Sequence, residues 1–192
     1  MQKSFHMQKE SIVVIGPMGV GKTSVSKKLA ETLDLEYVDV DELRWEYFSA
    51  QPDFDNDVVK GLYQSGDTAG AFHYMKPFEA RFVEHIVKKH SAAVFDFGAG
   101  YTVYEDNALF LRVKACLSPY RHVVFLRYSP DTQESLDALQ TRHAEAPETL
   151  YALLNQQFIE SPCNGILATH VVDTKDKTVE EVVQEVVEKI NA

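Results

Sequence analysis

The feature that most constrains this chain is a glycine-rich segment at residues 16–23, which reads GPMGVGKT. Glycine stands at its first, fourth and sixth positions, and Lys22 and Thr23 close it. A short β-branched apolar run over residues 11–15 precedes the segment, and apolar residues at helical spacing over residues 22–33 follow it. The pattern therefore predicts a tight glycine turn that joins a buried strand to a helix.

This segment, which we call the phosphate loop, has the residue types that bind phosphate groups. Glycines let backbone N–H groups approach phosphate oxygens, and the N-terminus of the helix adds partial positive charge. Lys22 is predicted to reach the β- and γ-phosphates of ATP, and the Thr23 hydroxyl to ligate Mg²⁺. A chance glycine turn before a helix is the alternative, which the flanking strand and helix disfavour. The predicted nucleotide-binding residues are Gly16, Pro17, Met18, Gly19, Val20, Gly21, Lys22, Thr23 and Ser24.

Strand and helix patterns alternate along the rest of the chain. Further strands are predicted over residues 36–38, 92–97, 122–126 and 170–172. Further helices are predicted over residues 41–49, 77–90, 106–117, 131–142, 148–159 and 179–190. This alternation predicts an α/β fold with a parallel sheet covered by helices on both faces, which is a three-layer αβα architecture. We expect a flexible tail over residues 1–10 and a single domain over residues 11–192.

One stretch, residues 51–71, is less regular and mixes Pro52 and three glycines with aromatic and acidic residues. It has two interpretations: short helices packed by their own aromatic side chains, or a lobe on the substrate side of the molecule. We expect residues 42–76 to form a helical insertion on the acceptor side. A lid is expected at about residues 142–150.

The composition favours an ordinary cytoplasmic protein, with 45% hydrophobic and 25% charged residues. A formal net charge of −10 repels the phosphate backbone, so general nucleic-acid binding is disfavoured. No apolar run approaches the roughly 20 residues that a membrane-spanning helix needs. The two cysteines lie far apart and fit a reduced compartment. We expect a monomer or homodimer that binds neither nucleic acid nor membrane.

Acidic residues follow two of the predicted strands. Asp39 and Asp41 are two residues apart, so on an extended segment both carboxylates would point the same way. Asp39 is predicted to hold Mg²⁺ through its water shell, and Asp41 to accept a proton from an acceptor hydroxyl. The alternative is that Asp41 caps the next helix and Asp39 is a turn residue. Asp96, at the end of the third strand, is a further candidate Mg²⁺ ligand, although many strands end in aspartate.

Small residues and arginines complete the candidate site. Gly98, Ala99 and Gly100 follow the third strand and would let a ligand approach the backbone closely, although an ordinary turn is the alternative. An arginine there could bind an anionic acceptor or the transferring phosphoryl group. The candidate arginines are Arg44, Arg81 and Arg142. Arg142 directly precedes residues 143–147, where a lid would lie.

These motifs occur in an order that resembles the shikimate kinase family of small P-loop kinases. The resemblance rests on the phosphate loop, the DVD motif at residues 39–41, the GAG turn at 98–100, and the segments at 123–126 and 171–190. It covers most of the chain. It implies the P-loop NTPase fold of shikimate and nucleoside-monophosphate kinases, with a five-stranded sheet in the order 2-3-1-4-5.

The resemblance also implies residue roles. Asp39 would organise Mg²⁺, Asp41 would bind the acceptor hydroxyl, and residues 98–100 would line the acceptor pocket. Arg142 would lie over the phosphates from the lid, which makes Lys22, Asp41 and Arg142 the candidate catalytic residues. The substrate candidates are Asp41, Arg44, Arg81, Gly98, Ala99 and Gly100.

The acceptor half of the family pattern is not matched. The family binds the shikimate carboxylate with an arginine in a Phe-Arg pair, whereas here Phe78 is followed by Glu79 and Arg81 comes two residues late. The second acceptor arginine is missing as well, because residues 154–158 read LNQQF. Ala99 replaces the middle glycine of the family's triple, and the lid lacks the family's Arg-Pro-Leu run.

The sequence therefore predicts an ATP- and Mg²⁺-binding kinase that acts on a small-molecule hydroxyl other than that of shikimate. The alternative is a nucleotide-binding regulatory protein with weak ATPase activity and no transfer. A GTPase is disfavoured, because residues 174–177 read TKDK and do not form the guanine-recognition motif.

Overall fold

The computed structural model describes residues 10–140 and 148–192. In these ranges, parallel strands form one five-stranded sheet in the order β2-β3-β1-β4-β5, which confirms the predicted order. The strands are β1 (Ile12–Ile15), β2 (Glu36–Asp39), β3 (Ala93–Asp96), β4 (His122–Arg127) and β5 (His170–Asp173). The predicted tail lies outside the described residues except for Glu10, and so does the predicted lid before residue 148.

Helices connect the strands, and most of them match the predicted segments. They are α1 (Lys22–Leu33), α2 (Val40–Ser49), α3 (Asn56–Gln64), α4 (Thr68–Lys89), α5 (Asn107–Leu117), α6 (Thr132–Gln140), α7 (Glu148–Glu160), α8 (Cys163–Leu167) and α9 (Val179–Ile190). A 3₁₀ turn spans Ala99–Thr102, and neither this turn nor α8 was predicted. Over the described ranges, we find no helix long and apolar enough to cross a membrane.

Alternate side chains of β1 enter two cores on opposite faces of the sheet. Val13 and Ile15 pack with residues of α2, α4 and α5, whereas Ile12 and Val14 pack with residues of α1 and α9. All four are at most 1% exposed. Burial on both faces explains why β1 is apolar throughout, and it confirms the predicted three layers.

Helix α4 is longer than predicted, because its predicted start was placed too late in the sequence. The pattern placed its start at Pro77, but α4 begins at Thr68 and contains Pro77 in its interior. Asp67 caps the true start by accepting a hydrogen bond from Gly70 N at 2.8 Å. Proline often marks the first turn of a helix, so Pro77 was mistaken for the start of α4. Burial of side chains on both sides of Pro77, such as Met75, keeps the helix continuous.

Aromatic side chains pack against residues 51–71, the segment whose sequence pattern is irregular. It contains α3 and the first turn of α4. The ring of Phe54 lies 5.2 Å from that of Phe48 and 4.8 Å from that of Phe78, measured between centroids. This packing agrees with the interpretation of short helices held by aromatic contacts.

Candidate active site

The predicted site residues meet where the parallel strands end. In the register of β2 and β3, Asp39 stands directly beside Asp96, and in that of β1 and β3, Val14 stands beside Asp96. The phosphate loop follows β1 immediately. Strand order and register therefore bring the loop and the two carboxylates to one edge of the sheet.

Backbone geometry makes glycine necessary at two positions of the phosphate loop. Gly16 has a φ of 148°, and a Cβ there would lie 2.2 Å from the carbonyl oxygen of Leu126. Gly21 has a φ of 99° and immediately precedes α1. A side chain at either position would be strained, so these glycines allow the chain to turn tightly from β1 into α1.

The Lys22 side chain folds over the phosphate loop. Its Nζ donates a hydrogen bond to the carbonyl oxygen of Pro17 at 2.9 Å. Burial lowers the pKa of Lys22 to about 8, and the nearby carboxylates of Asp96 and Asp41 oppose this shift. The ammonium is therefore mostly charged at neutral pH and can neutralise phosphate oxygens.

Asp96 is the most enclosed carboxylate of the site, at 5% exposure. Its Oδ2 accepts a hydrogen bond from the Tyr37 hydroxyl at 3.1 Å, and the Thr23 hydroxyl also lies beside it. Burial raises the pKa of Asp96, while its contacts with Thr23, Lys22 and Tyr37 favour the charged form. Asp96 and Thr23 thus face the same space.

Tyr37 links the two strand-end carboxylates, a role that was not predicted from the sequence. Its hydroxyl lies 3.1 Å from Asp96 Oδ2 and 3.3 Å from Asp39 Oδ2. Burial, together with both carboxylates, raises the pKa of Tyr37. The signal was its place two residues before Asp39 on β2, which puts both side chains on one face.

The paired aspartates reach the site in a different way from the one predicted. Helix α2 begins at Val40, so Asp39 is its N-cap and accepts a hydrogen bond from Glu42 N at 3.1 Å. Asp41 lies in the first turn of α2, and its Oδ1 accepts from Arg44 Nη1 at 2.9 Å. The prediction that Asp39 and Asp41 share an extended segment was wrong, because α2 starts at Val40, one residue earlier than predicted. Both carboxylates nevertheless line one cavity.

That cavity, which we call the site cavity, has a volume of about 430 Å³. Such a volume suits a small ligand. It is lined by Met18, Gly19, Lys22, Thr23, Asp39, Asp41, Arg44, Tyr63, Phe72, Met75, Glu79, Asp96, Phe97, Gly98, Ala99, Gly100, Tyr101, Leu154 and Phe158. The phosphate loop, the acidic candidates and residues 98–100 are therefore brought together.

The glycine turn after β3 packs directly against Asp41. A Cβ on Gly98 would lie 2.5 Å and 2.6 Å from the two carboxylate oxygens of Asp41. The carbonyl oxygen of Gly100 accepts a hydrogen bond from Lys76 Nζ at 2.6 Å. The absence of a side chain at Gly98 lets the Asp41 carboxylate occupy its position in the cavity.

A buried ion pair, Lys76 with Glu79, lies on α4 beside the glycine turn, and Glu79 lines the site cavity. Lys76 Nζ donates to Glu79 Oε2 at 2.8 Å and lies 3.8 Å from the centre of the Phe72 ring. Burial lowers the pKa of Lys76, and Glu79 opposes that shift. This pair was not predicted from the sequence. Its signal, a three-residue spacing on one helix, was hidden because α4 was predicted to start after Lys76.

The three candidate arginines have different positions. Arg44 lines the site cavity beside Asp41. Arg81 does not, which corrects the prediction: its guanidinium pairs with the exposed Asp53 at 2.9 Å and lies 4.6 Å from the Phe78 ring. Arg142 lies outside the described residues, so its predicted role over the phosphates stays a prediction.

Asn155 on α7 holds the phosphate loop from across the molecule. Its Oδ1 accepts a hydrogen bond from Met18 N at 2.9 Å, and its Nδ2 donates to Met18 O at 3.2 Å. The side chain is buried, at 1% exposure. In the sequence Asn155 stands out only as a position without arginine, since no local pattern indicates a contact between residues 137 positions apart.

Comparisons with known proteins agree with this arrangement. A sequence model of the family described as shikimate kinase matches residues 18–52, which run from the phosphate loop past α2. The chain is 25% identical over 191 residues to a shikimate kinase of Actinobacillus pleuropneumoniae serotype 5b (strain L20). That match covers 96% of this chain and 97% of the relative.

Solved structures share the fold. A shikimate kinase from Acinetobacter baumannii in complex with shikimate has a TM-score of 0.65 at 16% identity, covering 95% of this chain and 93% of that one. A gluconokinase from Sinorhizobium meliloti 1021 has a TM-score of 0.59 at 18% identity, covering 96% and 93%. The chain is therefore similar in sequence to shikimate kinases and shares the fold of small P-loop kinases.

Proposed function

We propose that this chain transfers the γ-phosphate of ATP, bound with Mg²⁺, to a hydroxyl group of a small molecule other than shikimate. One observation carries the proposal: the phosphate loop and the Asp41 carboxylate open into the same cavity. Phosphoryl transfer needs a bound donor and an oriented acceptor hydroxyl, and little covalent chemistry from the protein.

The donor side has the groups that a nucleotide needs. The amides of the phosphate loop and the Lys22 ammonium would hold the phosphates. Thr23, Asp39 and Asp96 would hold Mg²⁺, since hydroxyl and carboxylate oxygens are its preferred ligands. Across the described ranges no cluster of three or more His, Cys, Asp or Glu is suited to a metal, so phosphate oxygens and water would complete the shell. Bound Mg²⁺ would neutralise the charge that develops on the phosphates.

The acceptor side centres on Asp41. Its carboxylate would accept the proton of the acceptor hydroxyl while that oxygen bonds to the γ-phosphorus. The bond from the γ-phosphorus to the bridging oxygen breaks, and ADP leaves. Arg44 and the Gly98 backbone fix the carboxylate from two sides. Arg142 would stabilise the transferring group from the lid.

The test is a transfer assay with γ-labelled ATP and a panel of hydroxyl-bearing metabolites that includes shikimate. We expect label on at least one acceptor, with shikimate a poor one. Tight ATP binding without transfer to any acceptor would instead indicate a regulatory nucleotide-binding protein. Efficient shikimate phosphorylation would contradict the acceptor part of the proposal.

A further inference from the structure

Glu79 is a charged residue of the site cavity that the proposed reaction does not use. It is 6% exposed, and it lines the cavity together with Asp41 and Gly100. Its Oε2 accepts a hydrogen bond from Lys76 Nζ at 2.8 Å. Lys76 lines a different cavity, of about 210 Å³, which has Phe72 in common with the site cavity. The ion pair therefore presents its carboxylate, and not its ammonium, to the site cavity.

Lys76 holds the Glu79 carboxylate and leaves it capacity for further hydrogen bonds. Lys76 Nζ also donates to the carbonyl oxygen of Gly100 at 2.6 Å, and it lies 3.8 Å and 4.9 Å from the ring centres of Phe72 and Tyr104. This ammonium compensates the charge of Glu79 in an enclosed place. An ionised carboxylate has about four lone-pair positions, and the bond from Lys76 uses one of them.

The glycine turn after β3 brings Glu79 close to Asp41. The Asp41 carboxylate packs against Gly98, and Glu79 Oε1 would lie 3.6 Å from a Cβ on Gly100. These two glycines are two residues apart, so their Cα atoms are separated by at most about 7 Å. Burial tends to lower the pKa of Arg44, but the charges of Asp41 and Glu79 help to raise it, so both carboxylates lie within electrostatic reach of one guanidinium. One small molecule in this cavity can therefore contact both.

A bound acceptor has to satisfy the Glu79 carboxylate. Water solvates a carboxylate that borders a cavity, and a ligand that covers the carboxylate displaces this water. An apolar group, or one that only accepts hydrogen bonds, would leave the carboxylate without a donor, which weakens binding by about tenfold or more. A hydroxyl or an ammonium would donate to it. Asp41 is proposed to take the proton of the reacting hydroxyl, so Glu79 is left for a different group of the same molecule.

From this arrangement we infer that Glu79 is an acceptor-binding residue, and that the acceptor carries a second hydrogen-bond donor, a hydroxyl or an ammonium, near the hydroxyl that is phosphorylated. The inference rests on the proposed kinase function and specifies the chemistry of its substrate. Glu79 takes no part in the transfer itself, since it selects and orients the molecule that receives the phosphoryl group. A carboxylate at the same place on the acceptor would be repelled.

Acceptor analogues provide the first test. Glucose, myo-inositol and cyclohexane-1,2-diol are each compared with derivatives in which one hydroxyl is replaced by hydrogen, methoxy or ammonium. The same replacements are made on any other acceptor that the metabolite panel identifies. ADP release is followed at saturating ATP and Mg²⁺, and the phosphorylated product is verified by mass spectrometry. We expect one position besides the reacting hydroxyl at which hydrogen or methoxy lowers kcat/KM by about tenfold or more, whereas ammonium retains it.

Glu79→Gln tests whether that position contacts Glu79. Lys76 donates to an oxygen, so the new amide should turn its oxygen toward Lys76 and its N–H groups toward the cavity. The preference for hydroxyl over methoxy at that position should fall by about tenfold, and the KM for ATP should stay that of the parent chain. Glu84→Gln is the matched control, because it makes the same change on α4 in an ion pair with Arg112 that lines a different cavity.

The parent preference at every position in folded Glu79→Gln, with folding verified by circular dichroism, would overturn the inference and leave the kinase function intact. So would a parent chain that accepts methoxy as well as hydroxyl at every position. If Glu79→Gln does not fold, Lys76→Met/Glu79→Leu removes both charges together and should lose the same preference. Tight ATP binding without transfer to any acceptor would instead count against the kinase function itself, so the two failures are distinguishable.

Discussion

Gly98 shows how a single missing side chain sets the position of a functional group. Its backbone lies so close to Asp41 that a Cβ would overlap both carboxylate oxygens. We predict that Gly98→Ala displaces the carboxylate and lowers kcat by about 100-fold, because a misplacement of this size removes the alignment of the acceptor. Steady-state kinetics with the acceptor found by the panel measure this, and ATP affinity should stay nearly unchanged.

Gly165→Ala is the control for that change, because no heavy atom lies within 4 Å of a Cβ placed there. This variant should retain the activity of the parent chain. A Gly98→Ala protein with the parent kcat would show that Asp41 does not need its present position.

The lowered pKa of Lys22 predicts that nucleotide binding is coupled to proton uptake in a pH-dependent way. Its pKa is lowered to about 8 by burial, so at a pH of about 8.5 much of the side chain is neutral before nucleotide binds. Phosphate charges favour the ammonium and raise the pKa, so binding should take up protons at that pH and few at a pH of about 6.5. Calorimetry in two buffers of different ionisation enthalpy measures this uptake.

Lys22→Arg provides the comparison, because a guanidinium does not titrate in this range. It should bind nucleotide without the pH-dependent uptake. The same uptake in Lys22→Arg would assign the proton to a different group.

At the scale of elements, α7 contacts both the phosphate loop and the wall of the site cavity. It contributes Leu154 and Phe158 to the cavity wall, and Asn155 between them holds the backbone of Met18. We predict that Asn155→Ala raises the KM for ATP by about tenfold and lowers the free energy of unfolding by about 1–3 kcal/mol, since buried backbone groups lose their partner. Gln156→Ala removes an exposed bond to Glu160 on the same helix and should change neither quantity.

Elements also show where sequence reasoning succeeds and fails. The bounds of α1 and α9 could be predicted as they occur, because their apolar spacing is regular and the two helices start directly after Gly21 and Thr178. The start of α4 could not, because Pro77 imitates a helix start. That error hid Lys76, and with it the buried ion pair that Lys76 forms with Glu79.

At the scale of the whole molecule, alternation of strands and helices was enough to predict the parallel sheet and the edge at which the site forms. It placed the phosphate loop, Asp39 and Asp96 together because parallel strands end at one edge. The contact of Asn155 with Met18 could not be predicted, since it depends on how α7 packs and leaves no local pattern. Arg81 was misplaced for a similar reason: its partner, Asp53, lies on a different segment.

The central claim is that the phosphate loop binds the phosphates of ATP through Lys22. Calorimetric titration of the chain with ATP and Mg²⁺, beside Lys22→Ala and Lys28→Ala, tests it most directly. Lys28 lies on the same helix and forms an exposed pair with Glu31, so Lys28→Ala should bind like the parent chain. We predict that Lys22→Ala weakens binding by about 100-fold or more, because a charge-assisted contact to phosphate is lost. Unchanged affinity in Lys22→Ala would contradict the account.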